Sequence, residues 1–274
     1  MTRPGLFKGV KYLTYSLLML NVVLFLAEEL RALEHTFADG FLLGQLIRIF
    51  STTIDTAAWV LLLLLFELET AVVDDRHIHG WLRRGLHGAR ALCYLVILYA
   101  FTGYYAVMAE LYDVSPVVGA AACDRLHELW SVLVTPDRYV PLSADNCAAL
   151  GDGAQQIGSF SIMSTPEALE HSRRLAWTDV INAGAWILVV VMLEVEVRLQ
   201  LRRDLSASIM HGLRFFKVGI YGVLFLCALY WGWKGNFLDF WDAVLWLFAF
   251  IFIELNVFDW QKETSQTAQA DVST

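Results

Sequence analysis

Three times in this chain a tryptophan opens a run of seven apolar residues that a glutamate closes. The runs are Trp59–Glu67, Trp186–Glu194 and Trp246–Glu254. Two residues further on stand Glu69, Glu196 and Asn256, and four residues before each tryptophan stand Asp55, Asn182 and Asp242. The shared pattern is [DN]-x3-W-x7-E-x-[EN]. Agreement at so many offsets reads as an internal triplication. Runs this apolar do not stay in water, so the repeat confines the chain to a membrane or to a deeply buried core.

Composition decides between the two. Of the 274 residues, 57% are hydrophobic, against ~45–50% in soluble domains. About 20 apolar residues span a bilayer as a helix. Six such stretches are expected, at roughly 10–28, 53–73, 90–112, 177–198, 214–233 and 238–258. The helices of a soluble core would carry polar faces, and these mostly lack them. The expected fold is an all-α integral membrane protein of six helices.

A second signature precedes the first helix of each pair. Lys8-Gly9-Val10-Lys11, His87-Gly88-Ala89-Arg90 and His211-Gly212-Leu213-Arg214 share [KH]-G-x-[KR]. The six helices thus read as three tandem hairpins, about 5–73, 85–200 and 208–260, related by pseudo-threefold symmetry. The three glycines are expected to let helices approach closely. The plan is similar to that of the mitochondrial carriers. Their Pro-x-[Asp/Glu]-x-x-[Lys/Arg] signature is absent, so the likeness is architectural and transfers no residues.

Basic residues set the orientation. Most of the 20 lysines and arginines fall in the N-terminal segment, in the connections near 74–90 and 198–217, or in the tail. Both termini are therefore expected in the cytoplasm of a bacterial-type inner membrane. The first apolar run reads as an anchor, because it lacks a small-residue cleavage site. The net charge of −8 comes mainly from the outer connections, which argues against a nucleic-acid partner. Residues 41–50 are amphipathic and read as an interfacial segment. Residues 261–274 are polar and aperiodic, and read as a disordered tail.

Residues 113–176 form the one sizeable polar insertion, an extracytoplasmic cap with a few short helices. It holds Cys123 and Cys147, while Cys93 and Cys227 fall inside helices. An oxidising compartment lets the first two pair, which stabilises the cap by ~3 kcal/mol.

Carboxylates inside the bilayer carry the functional reading. Glu67 lies seven residues before Asp74, about 10 Å inside the apolar boundary. Charge at that depth is expensive and needs a partner or water. Asp55 and Glu69 are 14 positions apart, which returns them to within ~40° of one face and ~21 Å along it. Glu69, Glu196 and Asn256, with Asp55, Asn182 and Asp242, are therefore candidates for a cation path. Protons or a hard divalent ion suit such oxygens. Glu67, Glu194 and Glu254 face another side and read as structural or ion-coupled acids. Lys11, Arg90 and Arg214 are their candidate counter-charges. Trp59, Trp186 and Trp246 read as packing or as an interfacial belt.

The expected function is a cation channel or transporter. The other reading is a non-transporting scaffold or assembly subunit, in a homo-oligomer or larger membrane complex, whose acids hold helices together. No hydrolase, nucleotide or dinucleotide motif occurs, and no catalytic residue or cofactor is assigned. Asp74-Asp75-Arg76-His77-Ile78-His79 has no coordination logic of its own, since a metal would need further convergent ligands.

Overall fold

A computed structural model describes residues 3–36, 45–69, 80–117, 122–200 and 207–252. The chain is mostly helical. In order it forms α1 (Arg3–Thr36), a short α2 (Leu46–Ile49), α3 (Ser51–Glu67) and α4 (Trp81–Glu110). After the cap come α6 (Pro166–Gln200), α7 (Ala207–Lys234) and α8 (237–252). Four of these helices contain stretches long and apolar enough to cross a membrane: Phe7–Thr36, Arg84–Glu110, Pro166–Val195 and Phe215–Lys234. Apolar side chains such as Leu13, Val23, Leu92, Leu95 and Leu226 stand exposed along them. That surface suits acyl chains rather than water, and the protein is an integral membrane protein in contact with lipid.

The chain divides into two compact units, residues 1–21 with 228–274, and residues 22–227. In the first, the end of α7 from Ala228 onward and α8 form a hairpin. Gly235, at φ +82°, reverses the chain at a left-handed position that favours glycine. The Asn236 N–H then reaches Trp231 O at 3.0 Å. Below the turn, a Cβ on Gly232 would meet the Phe240 ring at 3.1 Å, so the helices lie close. Phe7 of α1 meets Phe252 edge to face, with centroids 5.1 Å apart.

In the second unit α4 packs against α2, α3 and α6. Of the segment expected along the interface, residues 45–50 are described, and α2 docks on α4. Ile47 of α2 is buried, and Arg48 is ion-paired with Glu110 of α4. Gly103 is what permits this approach, because a Cβ there would lie 2.5 Å from Ile47 O and 2.9 Å from Ser51 Cβ. Among the described residues, Gly9, Gly88 and Gly212 do not have the expected close neighbours. A Cβ at each meets nothing within 4 Å among the described residues.

The all-α expectation fails in the cap. Here five short strands form one sheet: β1 (Val114–Pro116), β2 (Ser131–Thr135), β3 (Arg138–Pro141), β4 (Gln155–Ile157) and β5 (Ile162–Ser164), in the order β1-β4-β5-β2-β3. All neighbours are antiparallel except β2 and β5. Strand alternation sends side chains to two faces. Leu133, Ile157 and Ile162 pack on Met108 of α4, on Leu111 just past its end, and on Leu169, Ala176 and Val180 of α6. Met163 packs on the other side with Ala122, Trp130, Leu150 and Ala154. That second core includes Leu150 of α5 (Ala144–Leu150). Cys123 and Cys147 form the expected disulfide. α6 begins at Pro166, within the segment read as cap. Its 35 residues extend ~52 Å, longer than the ~30 Å hydrocarbon layer, so one rigid element runs from the sheet into the membrane part.

Gly103→Ala places a methyl group against a backbone carbonyl that cannot rotate away. It should lower stability by ~1–3 kcal/mol, read as thermal unfolding in detergent. Gly88→Ala, made in open space, should leave the midpoint unchanged or raise it.

Candidate functional site

Glu29 lies on α1 and is 7% exposed. Its Oε1 accepts from the backbone N–H of Thr52 at 2.8 Å, and its Oε2 accepts from that of Thr53 at 3.2 Å. These are orphan donors at the start of α3. The residue preceding that helix, Phe50, provides no side-chain cap. A helix N-terminus presents unpaired N–H groups and a partial positive charge. Glu29 therefore caps α3 from another helix.

One turn further into α3, Asp55 is buried and its Oδ2 accepts from the Tyr104 hydroxyl of α4 at 3.2 Å. Tyr104 also hydrogen-bonds the Thr52 side chain. The Arg48–Glu110 pair lies against the same end of α4, with the Arg48 guanidinium 4.9 Å above the Phe160 ring. The β2–β3 turn brings Asp137 within electrostatic reach of Glu28 and Glu29. His35 completes the contact: its Nδ1 lies 2.9 Å from Ser131 Oγ. Burial raises the Asp137 carboxyl to about 6 and pushes the Tyr139 phenol above its ordinary value.

At the far end of α3, Glu69 is ion-paired with Arg90 of α4. Its second oxygen, Oε1, is buried without a partner among the described residues. Glu67 is buried and Glu194 exposed. Tyr94 lies within electrostatic reach of Glu194, Arg90 and Glu69. In α6, Asn182 Oδ1 is also buried without a partner among the described residues. Asp242 of α8 accepts from Asn21 Nδ2 at 2.7 Å. Lys11 is buried, with its ammonium 5.2 Å from the Tyr12 ring. Asn256 and Glu254, the side chains of Glu196 and Arg214, and the Asp74–His79 stretch lie outside the described residues.

The repeated tryptophans are all buried, at 7, 7 and 6% exposure for Trp59, Trp186 and Trp246. Trp59 and Trp186 touch, with centroids 6.3 Å apart. This is packing between α3 and α6 rather than an interfacial belt.

Of the six candidate path residues, the structure gives Glu69, Asp55 and Asp242 specific protein partners. The [DN]-x3-W-x7-E-x-[EN] pattern missed Glu29, Arg48, Tyr104, Glu110 and Asp137. The Glu28-Glu29 pair ending the first apolar run was a signal for one of them. Among the described residues, no three His, Cys, Asp or Glu side chains are placed to hold a metal. Comparison with protein-family models, with curated proteins and with solved structures finds no match.

Glu29→Ala leaves the Thr52 and Thr53 N–H groups without their acceptor. It should destabilise the protein by ~1–3 kcal/mol, read as earlier thermal unfolding, and Glu29→Gln should recover part of the loss. Asp137 sets a pH dependence. The folded chain binds its proton more tightly than the unfolded chain does, because burial raises the carboxyl from 3.8 to about 6. Its stabilising contribution is complete below about pH 4 and is lost as the pH rises through about 6. Asp137→Asn should flatten that slope and raise the unfolding midpoint at neutral pH.

Proposed function

We propose that this chain is a membrane scaffold or assembly subunit that holds a disulfide-stapled cap on the extracytoplasmic side. α3 and α8 cross the bilayer as well as the four longer apolar helices, giving six crossings with both termini in the cytoplasm. The three hairpins derive from one repeat.

The observation behind this reading is how the intramembrane acids are bound. Glu29 accepts from α3 backbone, Asp55 from Tyr104, Glu69 from Arg90, Glu110 from Arg48, and Asp242 from Asn21. Each bond joins two different helices. An isolated charge in hydrocarbon is costly, and a pair or a capped terminus removes most of that cost. Acids used in this way fix helix positions and leave little charge for cargo. The partners of such a subunit are lipid and either further copies or other membrane chains.

A second reading keeps a path for protons or a divalent cation along Glu69, Asn182 and Asp55, continued by Glu196, Asn256 and Asp242. The buried, unpartnered Glu69 Oε1 and Asn182 Oδ1 favour it, because such oxygens can face an ion or water.

Reconstituted liposomes separate the two. The scaffold reading expects no proton or divalent-cation flux above protein-free vesicles, and an earlier unfolding midpoint for Glu69→Gln. Flux through the wild-type protein that Glu69→Gln abolishes, with its midpoint unchanged, would establish the path instead.

A further inference from the structure

Unit 1 contains a polar pair that the acids near α3 do not explain. Asn21 of α1 is 0% exposed. Its Nδ2 donates to Asp242 Oδ1 of α8 at 2.7 Å. Trp246, one turn beyond Asp242, also hydrogen-bonds the carboxyl group. Asn21 Oδ1, bonded through one carbon to the donating nitrogen, has no donor among the described residues. Leaving a fully buried carbonyl oxygen bare costs about 1–3 kcal/mol.

The charge around Asp242 is equally specific. No lysine or arginine among the described residues ion-pairs with it, and its hydrogen-bond partners are Asn21 and Trp246. On α1, Lys11 is ten residues before Asn21 and Lys8 further still, which is ~15 Å or more along the axis. On α7, Lys234 sits over the Tyr230 and Trp233 rings near the turn. On α8, Asp239 is one turn away and adds negative charge. Tyrosines on the same elements include Tyr12 and Tyr15 of α1 and Tyr230 of α7.

An ionised Asp242 would present only acceptors to Asn21 Oδ1. A protonated carboxyl presents a donor. An O–H directed at Asn21 Oδ1, beside the Oδ1 that accepts from Asn21 Nδ2, would close a ring of two antiparallel hydrogen bonds and satisfy the bare oxygen.

We propose that Asp242 is a proton-binding site, holding its proton at neutral pH as one half of a cyclic acid–amide pair with Asn21 that ties α1 to α8. The ligand is the proton itself. Removing it turns the O–H donor into a further acceptor opposite Asn21 Oδ1, and the pair opens. This inference does not rest on the scaffold reading, since a proton held in a closed pair needs no path.

Infrared spectroscopy of the full chain in lipid vesicles, with carbon-13 in its aspartates, tests it. The expected result is a protonated-carboxyl C=O band at neutral pH that disappears in Asp242→Asn and shifts to higher frequency in Asn21→Leu. Asp242→Asn keeps a neutral amide pair and so leaves the fold in place. A wild-type spectrum in that region identical to Asp242→Asn overturns the proposal. So does an unshifted band in Asn21→Leu. Sodium that raises the unfolding midpoint of the wild type but not of Asp242→Asn also overturns it, because the occupant is then a cation.

Discussion

A carboxylate carried into the hydrocarbon zone must find a donor, and the contact of Glu29 with the start of α3 is where that demand shapes the fold most. α3 begins immediately after α2, at Ser51, with no capping side chain of its own. Its first free N–H groups would otherwise be buried and unbonded. Glu29 satisfies them from α1, and the helix terminus in turn supplies positive potential to an acid that has no lysine or arginine bonded to it among the described residues. Two groups that are each costly in lipid thus become acceptable together. With the start of α3 fixed, Asp55 falls opposite Tyr104, and Glu69 falls opposite Arg90 at the other end. α4 supplies both of those partners.

The cap depends on the same helices. Its sheet has an apolar side on α4 and α6 and another on the disulfide-bonded segment. Because α6 continues from the sheet into the membrane part without a break, the cap is not a tethered domain. The β2–β3 turn places Asp137 near Glu28 and Glu29, so the contact between sheet and α1 gathers like charges. Protonation at mildly acidic pH relieves that crowding. The stability of this end of the molecule therefore responds to pH.

The membrane class, the helices and the Cys123–Cys147 bridge were legible in the sequence, because apolar length and a lone pair of polar-loop cysteines leave few alternatives. Of the sheet, only the β2–β3 hairpin left a trace in the sequence, at Ser131-Val-Leu-Val-Thr-Pro-Asp-Arg-Tyr-Val-Pro141. Two runs with strand-forming residues separated by Pro-Asp are a hairpin signal, while β1, β4 and β5 are only three residues each. Spacing set Glu67 apart from Glu69 on α3, yet it could not name Tyr104 or Asn21 as partners. Those contacts join residues 49 and 221 positions apart, and no local rule reaches so far. The glycines show the same limit. A repeated motif drew attention to Gly9, Gly88 and Gly212, while the close approach occurs at Gly103, whose neighbours come from α2 and α3.

The central claim is that the acids of the membrane helices act through their protein partners, and the Glu69–Arg90 pair offers the cleanest view of it. A double-mutant cycle on thermodynamic stability, with Glu69→Gln, Arg90→Gln and the two combined, isolates their interaction. A pair that holds α3 to α4 predicts a coupling of ~0.5–3 kcal/mol, the double variant losing less than the sum of the singles. Strictly additive losses would contradict the account and leave Glu69 free for another task.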